Sequence, residues 1–302
     1  MQSLAVIDLG SNTFHLLIVG IKATGKFDII FRQRVFVGLS DGGVRNIKQE
    51  KIEFGLEVLK EFKTHINHYG HPTLKVIGTA ILRNASNRQV FIDRATHILG
   101  KEIEIIDGIR EADLIFKGIT LTDTFSTGTH LIMDIGGGST EFVVISNGIK
   151  IWSNSYLIGV GVLHEMFHKS EPISAADLTK LKLYVLDQIY DMLEVLKIYR
   201  PETLAGASGS FEVLQTMTGL KIAEDNVSVI SAEDFLHIYD LIVNSDLASR
   251  KNLEGMPKER AKLIVVGMAL KKIIFDMIQP TSIVVSPYAL KEGVISEMIN
   301  KF

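Results

Sequence analysis

Two aspartates open the same short phrase in this chain. AVIDLGSNTFHLLIV runs from Ala5 to Val19 and LIMDIGGGSTEFVVI from Leu131 to Ile145. In each, an apolar β run reaches an aspartate, Asp8 or Asp134, then a glycine-containing turn with Ser and Thr, then a second apolar β run. Glycine in such a turn allows positive φ and lets an anion approach backbone N–H groups with no Cβ in the way. Gly136, Gly137 and Gly138 make that approach easy, and Ser11, Asn12, Ser139 and Thr140 add side-chain donors. A carboxylate beside a phosphate repels it unless a hard cation such as Mg²⁺ lies between them. A single Asp-x-Gly is ordinary hairpin turn chemistry; two copies in matched apolar frames imply two related lobes facing one phosphate-bearing ligand.

A second motif carries different chemistry. His164-Glu165-Met166-Phe167-His168 reads HExxH. On a helix it puts two imidazoles on one face with a glutamate available as base, the arrangement of zinc peptidases. Glu194 is a distant candidate for a third ligand. In the competing reading Leu163 and Phe167 face the core, and the histidines lie on a polar helix face and bind nothing.

The elements that must position these residues follow from periodicity. Strands are expected at 4–8, 14–21 and 27–37. Ile52, Leu56, Leu59, Phe62, Ile66 and Tyr69 recur at helical spacing, which predicts a helix over 48–69. A strand at 74–78, a helix at 87–99 ending at Gly100, a strand at 102–106 and a helix at 110–119 complete the first half. Polar residues 120–129 lead into a second half with strands at 130–135, 140–146 and 149–154. Ser174 and Asp177 make an N-terminal capping pair. Behind them Leu178, Leu181, Val185, Ile189, Met192 and Leu196 form one helix face that stops before Pro201. A short strand from Thr203, helices at 231–244 and 257–278, a strand at 282–285 and a terminal helix follow. Strands alternating with helices predict an α/β layer architecture. The expected lobes are 1–123, joined by the C-terminal helix 287–302, and 124–286.

Composition narrows the partners. A chain of 302 residues buries a large core, and its net charge of −3 argues against a general nucleic-acid binder. With no cysteine, disulfides and thiolate metal sites are excluded and a reducing compartment fits. Asp8 interrupts the first apolar stretch, which has no basic flank and does not read as a signal peptide. The apolar run 263–278 is broken by Lys271, Lys272 and Asp276 and is too short to span a bilayer. A cytoplasmic protein with no membrane partner is expected.

Six blocks in order, VIDLGSNT, GTAILRNASN, IDGIREADLIFKG, MDIGGGSTEF, AGASGSFEVL and SPYALKEGVI, resemble the exopolyphosphatase and guanosine pentaphosphate phosphohydrolase family across nearly the whole chain. The resemblance implies a two-lobed actin-like ATPase fold (ASKHA, ribonuclease H-like), duplicated around an interlobe cleft. It implies that Glu111 activates water and that Arg83 contacts phosphate, with Ser11, Asn12, Thr13, Gly136, Gly137, Gly138 and Ser139 gripping phosphoryl oxygens. Asp8, Asp134 and Glu141 would face Mg²⁺, and Gly206 and Gly209 would lie near a nucleoside. On their own residue types, Glu111 also reads as a solvated first-turn carboxylate favoured by the helix dipole, and Arg83 as a surface arginine after a strand. Arg110 beside Glu111 complicates a simple raised-pKa argument. The chain departs from the family pattern at Asn84, Val162 and Lys262, which bears on substrate contacts rather than on the water activator.

The expected activity is release of orthophosphate from inorganic polyphosphate or guanosine pentaphosphate, with a homodimer left open. A non-hydrolytic nucleotide or polyphosphate sensor of the same fold, an actin-like kinase and the zinc peptidase are the competing classes.

Overall fold

Each of the two aspartates lies on an interior strand of its own sheet. The computed structural model describes residues 2–41, 43–207, 209–220 and 227–300. Its chain divides into two units, Met1–Gly118 with Leu290–Phe302, and Ile119–Ala289.

The first unit is built from β1 (Ser3–Leu9), β2 (Thr13–Ile21), β3 (Phe27–Phe36), α1 (Gln49–His68), β4 (Thr73–Gly78), α2 (Ala80–Asn84), α3 (Arg88–Leu99), β5 (Ile103–Ile105) and α4 (Gly108–Ile119). Its sheet order is β3-β2-β1-β4-β5, antiparallel across the first three strands and parallel from β1 to β4 to β5. Alternation sends Ala5, Ile7, Leu9, Phe14, Leu16 and Ile18 to one face, where they pack with Ile52, Leu56, Leu59 and Phe62 of α1 and Phe91, Ala95 and Leu99 of α3. The opposite face, with Leu4, Val6, Leu17 and Val19, is also buried.

The second unit runs β6 (Thr129–Ile135), β7 (Thr140–Ser146), β8 (Ile149–Tyr156), α5 (Val160–Phe167), α6 (Ala175–Gln188), α7 (Tyr190–Tyr199), β9 (Thr203–Gly206), α8 (Gly209–Met217), β10 (Ser228–Ser231), α9 (Ala232–Val243), α10 (Leu247–Arg250), α11 (Ile264–Ile278) and β11 (Ser282–Val285). The chain then returns to the first unit as α12 (Leu290–Ile299), which packs on β1 and β2. The sheet order of the second unit is β10-β11-β9-β6-β7-β8. Read from β8, it repeats the order and strand directions of the first sheet and adds the antiparallel edge strand β10.

The repetition extends to single residues. Gly10 N–H donates to Thr13 O at 3.1 Å and Gly136 N–H to Ser139 O at 2.9 Å, closing the same four-residue turn in each unit. Asp8 lies opposite His15 in register, and Asp134 opposite Glu141. A β-bulge follows between Ile18 and Val19 in the first unit and between Val144 and Ile145 in the second, at the same offset from the paired residue. A bulge adds local twist and re-aims the strand, so the two hairpins share a shape as well as a pattern.

Three expected helices differ. The apolar row from Leu178 to Leu196 is carried by two helices, because Ile189 leaves helical geometry at φ −104°, ψ 20°. The buried spacing continues across the break, so periodicity alone does not reveal it. The helix expected from 257 starts at Ile264: residues before it form turns, and Arg250 Nη1 donates to Ala261 O at 2.7 Å, occupying a carbonyl that a longer helix would use. The terminal helix is shorter than 287–302, and residues 301–302 lie outside the described residues. The short elements α2, α8, α10 and β10 carry no periodic signal long enough to read from sequence.

Two contacts fasten α12 to α4. A Cβ on Gly293 would lie 1.8 Å from Leu114 O, so the helices approach at a distance only glycine permits. One turn later, Glu297 accepts from Arg110 through both carboxylate oxygens and from Lys117. Arg110 and Lys117 hold the Glu297 carboxyl at about 2, well below its ordinary value.

Gly293→Ala is expected to cost about 1–3 kcal/mol through overpacking, read as a lower urea midpoint. Because the folded-state pKa of Glu297 is depressed, its stabilisation is complete above the ordinary carboxylate range and is lost as pH falls toward 2. Glu297→Gln should therefore lower stability at neutral pH and flatten the acid side of the stability–pH curve.

Candidate active site

The Asp8 turn, α2 and the start of α4 are joined by consecutive hydrogen bonds within the first unit. Thr79 N–H donates to Leu9 O at 3.3 Å, which starts α2 beside the turn. Ser11 Oγ accepts from Ile81 N–H at 3.2 Å, and Asn12 Oδ1 accepts from Ser40 Oγ at 2.6 Å. Asn12 O takes the N–H groups of both Val37 and Gly38, at 2.8 and 2.9 Å. Ser11, Asn12 and Thr13 are thus buried by their own structural bonds. With its oxygen occupied, Asn12 has donors to offer to an anion.

Arg83, on α2, reaches across to α4. Its Nη1 donates to Ile106 O at 2.6 Å and to Glu111 Oε2 at 3.1 Å. Glu111 is buried, and its N–H donates to Asp107 O at 2.9 Å. Asp107 Oδ1 accepts from Arg110 N–H at 2.8 Å, a side-chain cap on the first turn of α4. The guanidinium that meets Glu111 is therefore that of Arg83. Arg110, its sequence neighbour, is turned onto Glu297. A buried carboxylate held by one planar guanidinium at a helix N-terminus can orient a water and take its proton. The reading of Glu111 as a solvated carboxylate does not hold.

In the second unit the glycine turn is fixed from its carbonyl side. Val160 N–H donates to Gly136 O at 2.9 Å, Gly161 N–H to Gly137 O at 2.8 Å and Gly159 N–H to Gly138 O at 3.3 Å. The first turn of α5 thus consumes these carbonyls, and an anion could meet only the N–H side of Gly137 and Gly138. Ser139 is buried, and Thr140 Oγ1 donates to Ile158 O at 3.1 Å.

Asp134 and Glu141, opposite in register, share a sheet face. Glu141 is 2% exposed and accepts from Ser155 Oγ at 2.7 Å. This oxygen-only pair suits Mg²⁺, which one or two carboxylates and substrate oxygens bind with retained waters. The equivalent position in the first unit is His15, so Asp8 has no second carboxylate opposite it. Among the described residues no group of three His, Asp or Glu side chains is arranged to hold a metal. Asp8 belongs to one unit and Asp134 and Glu141 to the other.

The HExxH segment lies on α5 with His168 at its C-cap. The expectation that its histidines line a polar face is wrong for His168, whose side chain is 1% exposed, with Nε2 3.4 Å from Glu171 Oε1. Glu171 also accepts from the fully buried Arg250 at 2.6 Å. The His164 and His168 rings meet edge to face at 4.9 Å. Burial, with His168 and Lys262 nearby, lowers His164 to about 4. Glu194, the candidate third ligand, is exposed and paired with Lys197 on α7.

Gly206 and Gly209 have a packing explanation. A Cβ on Gly206 would meet the Phe211 ring at 2.3 Å, and one on Gly209 the Arg260 guanidinium at 1.9 Å. Of the departures, Asn84 directly follows Arg83 and is exposed, Val162 is half-buried on α5 and Lys262 is exposed. Sequence reasoning missed Asp107, Ser155 and Glu297. Only Asp107 had a local signal, an aspartate at the cap position before a helical pattern.

Comparison with known proteins bears on this arrangement. A model of the Ppx/GppA phosphatase family matches residues 17–302. A guanosine-5'-triphosphate,3'-diphosphate pyrophosphatase of Vibrio parahaemolyticus is 29% identical over 303 residues, covering 98% of this chain. The chain spans 59% of the length of that relative. A Haemophilus influenzae protein provisionally named an exopolyphosphatase is 28% identical, with 100% of this chain and 93% of that protein covered. The crystal structure of an exopolyphosphatase from Cytophaga hutchinsonii matches with a TM-score of 0.94 at 32% identity, over 99% of this chain and 98% of that one.

The depressed His164 has a consequence for stability. Its folded pKa lies below the ordinary 6.5, so the unfolded chain takes up the proton first and stability falls as pH drops from 6.5 toward 4. His164→Asn should reduce the slope of unfolding free energy over this window, measured by urea titration at several pH values.

Proposed function

The chain belongs to the Ppx/GppA phosphatase family, and from that premise we propose that it hydrolyses the terminal phosphoanhydride of inorganic polyphosphate or guanosine pentaphosphate. The observation that carries this reading is the pairing of Arg83, on α2, with the buried Glu111 at the start of α4, tied through α2 to the Asp8 turn. Glu111 orients a water and takes its proton as the water oxygen bonds to the terminal phosphorus. The anhydride P–O bond breaks in line, its bridging oxygen leaves with the shortened chain, and orthophosphate is released.

Phosphoryl transfer needs positioning and charge neutralisation more than covalent chemistry. Arg83 presents a planar fork suited to phosphate oxygens, and its pairing with Glu111 ties the phosphate contact to the water contact. Ser11, Asn12 and Thr13 in the first unit, and the N–H side of the Gly136–Ser139 turn in the second, are each suited to phosphoryl oxygens. Within the second unit Asp134 and Glu141 would hold Mg²⁺, which when bound would supply positive charge against the phosphate oxygens, and Asp8 is the carboxylate at the corresponding place of the first unit. Both candidate substrates end in the same anhydride, and the names of the relatives cover both.

Glu111→Gln keeps the shape of the side chain and removes the base. Its kcat for phosphate release in the presence of Mg²⁺ should fall by about 10²–10⁴, with substrate Kd changed much less. Wild-type turnover in this variant would remove Glu111 from the mechanism. Phosphate release measured side by side from polyphosphate and from guanosine pentaphosphate identifies the substrate. Tight binding of either without phosphate release would favour a sensor.

A further inference from the structure

We propose that Arg45, Lys48 and Arg88 form a cationic edge that holds the inner phosphates of a long polyphosphate chain while the end of that chain occupies the site of the first unit. The proposal deepens the phosphohydrolase reading and rests on it: of the two candidate substrates it selects a linear polyanion longer than the site itself.

The edge is continuous with the Asp8 turn. Leaving β3, the chain passes that turn first: Val37 and Gly38 donate to Asn12 O, and Ser40 N–H donates to Ser11 O at 2.9 Å. It then reaches the connection from α2 to α3. Ser86 N–H donates to Arg45 O at 2.9 Å, and the Ser86 hydroxyl donates to the same oxygen at 3.1 Å. Asn87 closes the contact through both ends of its amide, accepting from Ile47 N–H at 2.9 Å and donating to Ile47 O at 2.8 Å. Arg88, the first residue of α3, reaches back and donates from Nη1 to Arg83 O. Arg45, Lys48 and Arg88 are thus gathered around the end of α2, the helix that carries Arg83 to Glu111.

These cations differ from others in the same unit. Arg45, Lys48 and Arg88 are exposed, and none of them forms an ion pair among the described residues. Elsewhere in the unit Lys22 pairs with Asp28, Lys51 with Asp41, Lys75 with Glu104, and Arg110 and Lys117 with Glu297. On the flanking helices Glu53 pairs with Arg94 and Asp93 accepts from Gln89, while Glu50 stands in the first turn of α1. In a chain of net charge −3, such a patch is a local field that a polyanion can use. The bonds to Ser86 and Asn87 fix its backbone before a ligand arrives, which lowers the ordering cost of binding. Neighbouring Asn46, Asn84 and Ser86 add amide and hydroxyl groups, and none of these residues offers an aromatic ring on which a purine could stack. A linear polyphosphate carries charge at every phosphorus, so successive phosphates can meet successive cations.

The test compares the full chain with Arg45→Gln/Lys48→Gln and with the charge-conserving Arg45→Lys/Lys48→Arg, on tripolyphosphate and on long-chain polyphosphate with Mg²⁺. Neither side chain makes a hydrogen bond or ion pair among the described residues, so the fold is retained. The Gln pair should raise KM for the long chain about tenfold, with kcat and the KM for tripolyphosphate little changed. The charge-conserving pair should keep both KM values. Cations on a polyanion release its counterions, so the plot of log KM against log salt for the long chain should become shallower by about one in the Gln pair. An unchanged KM for the long chain, equal rises for both substrates, or phosphate release from guanosine pentaphosphate alone overturns the proposal. Release from no substrate overturns the hydrolase reading, and direct titration of long-chain polyphosphate into Glu111→Gln, with and without the Gln pair, then decides the edge by itself: weaker binding in the Gln pair supports it and unchanged affinity overturns it.

Discussion

Arg83 ties two parts of the candidate site together. Its Nη1 contacts the Ile106 carbonyl at the end of β5 and the Glu111 carboxylate on α4. A buried carboxylate without a cation or donors carries a desolvation penalty of several kcal/mol, and this contact offsets part of it for Glu111. The contact in turn depends on α2, a helix of five residues too short to stand alone, started by Thr79 and capped by the Ser11 hydroxyl of the Asp8 turn. Glycine turn, arginine and glutamate are one connected unit even though 100 residues separate Ser11 from Glu111.

The duplicated hairpins share turn, register and bulge, yet differ at one facing position. His15 in the first unit stands where Glu141 stands in the second. The same backbone device therefore carries one carboxylate in one copy and two in the other. Both turns are bonded through their carbonyls, the second to Gly159, Val160 and Gly161 and the first to Val37, Gly38 and Ser40, and the first adds side-chain bonds to α2 and Ser40. The copies have kept the shape that presents N–H groups and diverged in the side chains that surround it.

Most of the architecture was legible because the strands alternate cleanly and α1 carries a sustained apolar stripe. The repeated Asp-x-Gly phrase announced the duplication. What was not legible lacked a local signal. The break at Ile189 leaves the buried spacing intact, and the shortened α11 depends on Arg250 reaching a carbonyl across the fold. In the candidate site, the family resemblance pointed at Arg83 and Glu111, but their pairing is a contact over 28 residues that no spacing rule states. The neighbour that looked troublesome, Arg110, is engaged with Glu297, 187 residues away in sequence. HExxH shows the opposite case: a motif with a sharp chemical meaning whose second histidine is buried against Glu171.

The central claim is that water, directed by Glu111, attacks the terminal phosphorus. A single turnover on polyphosphate in oxygen-18 water, with both products analysed by mass spectrometry, tests it most directly. The account predicts one labelled oxygen in the released orthophosphate and none in the shortened chain. Label in the shortened chain, or transfer of the terminal phosphoryl group to an acceptor without label, would contradict it.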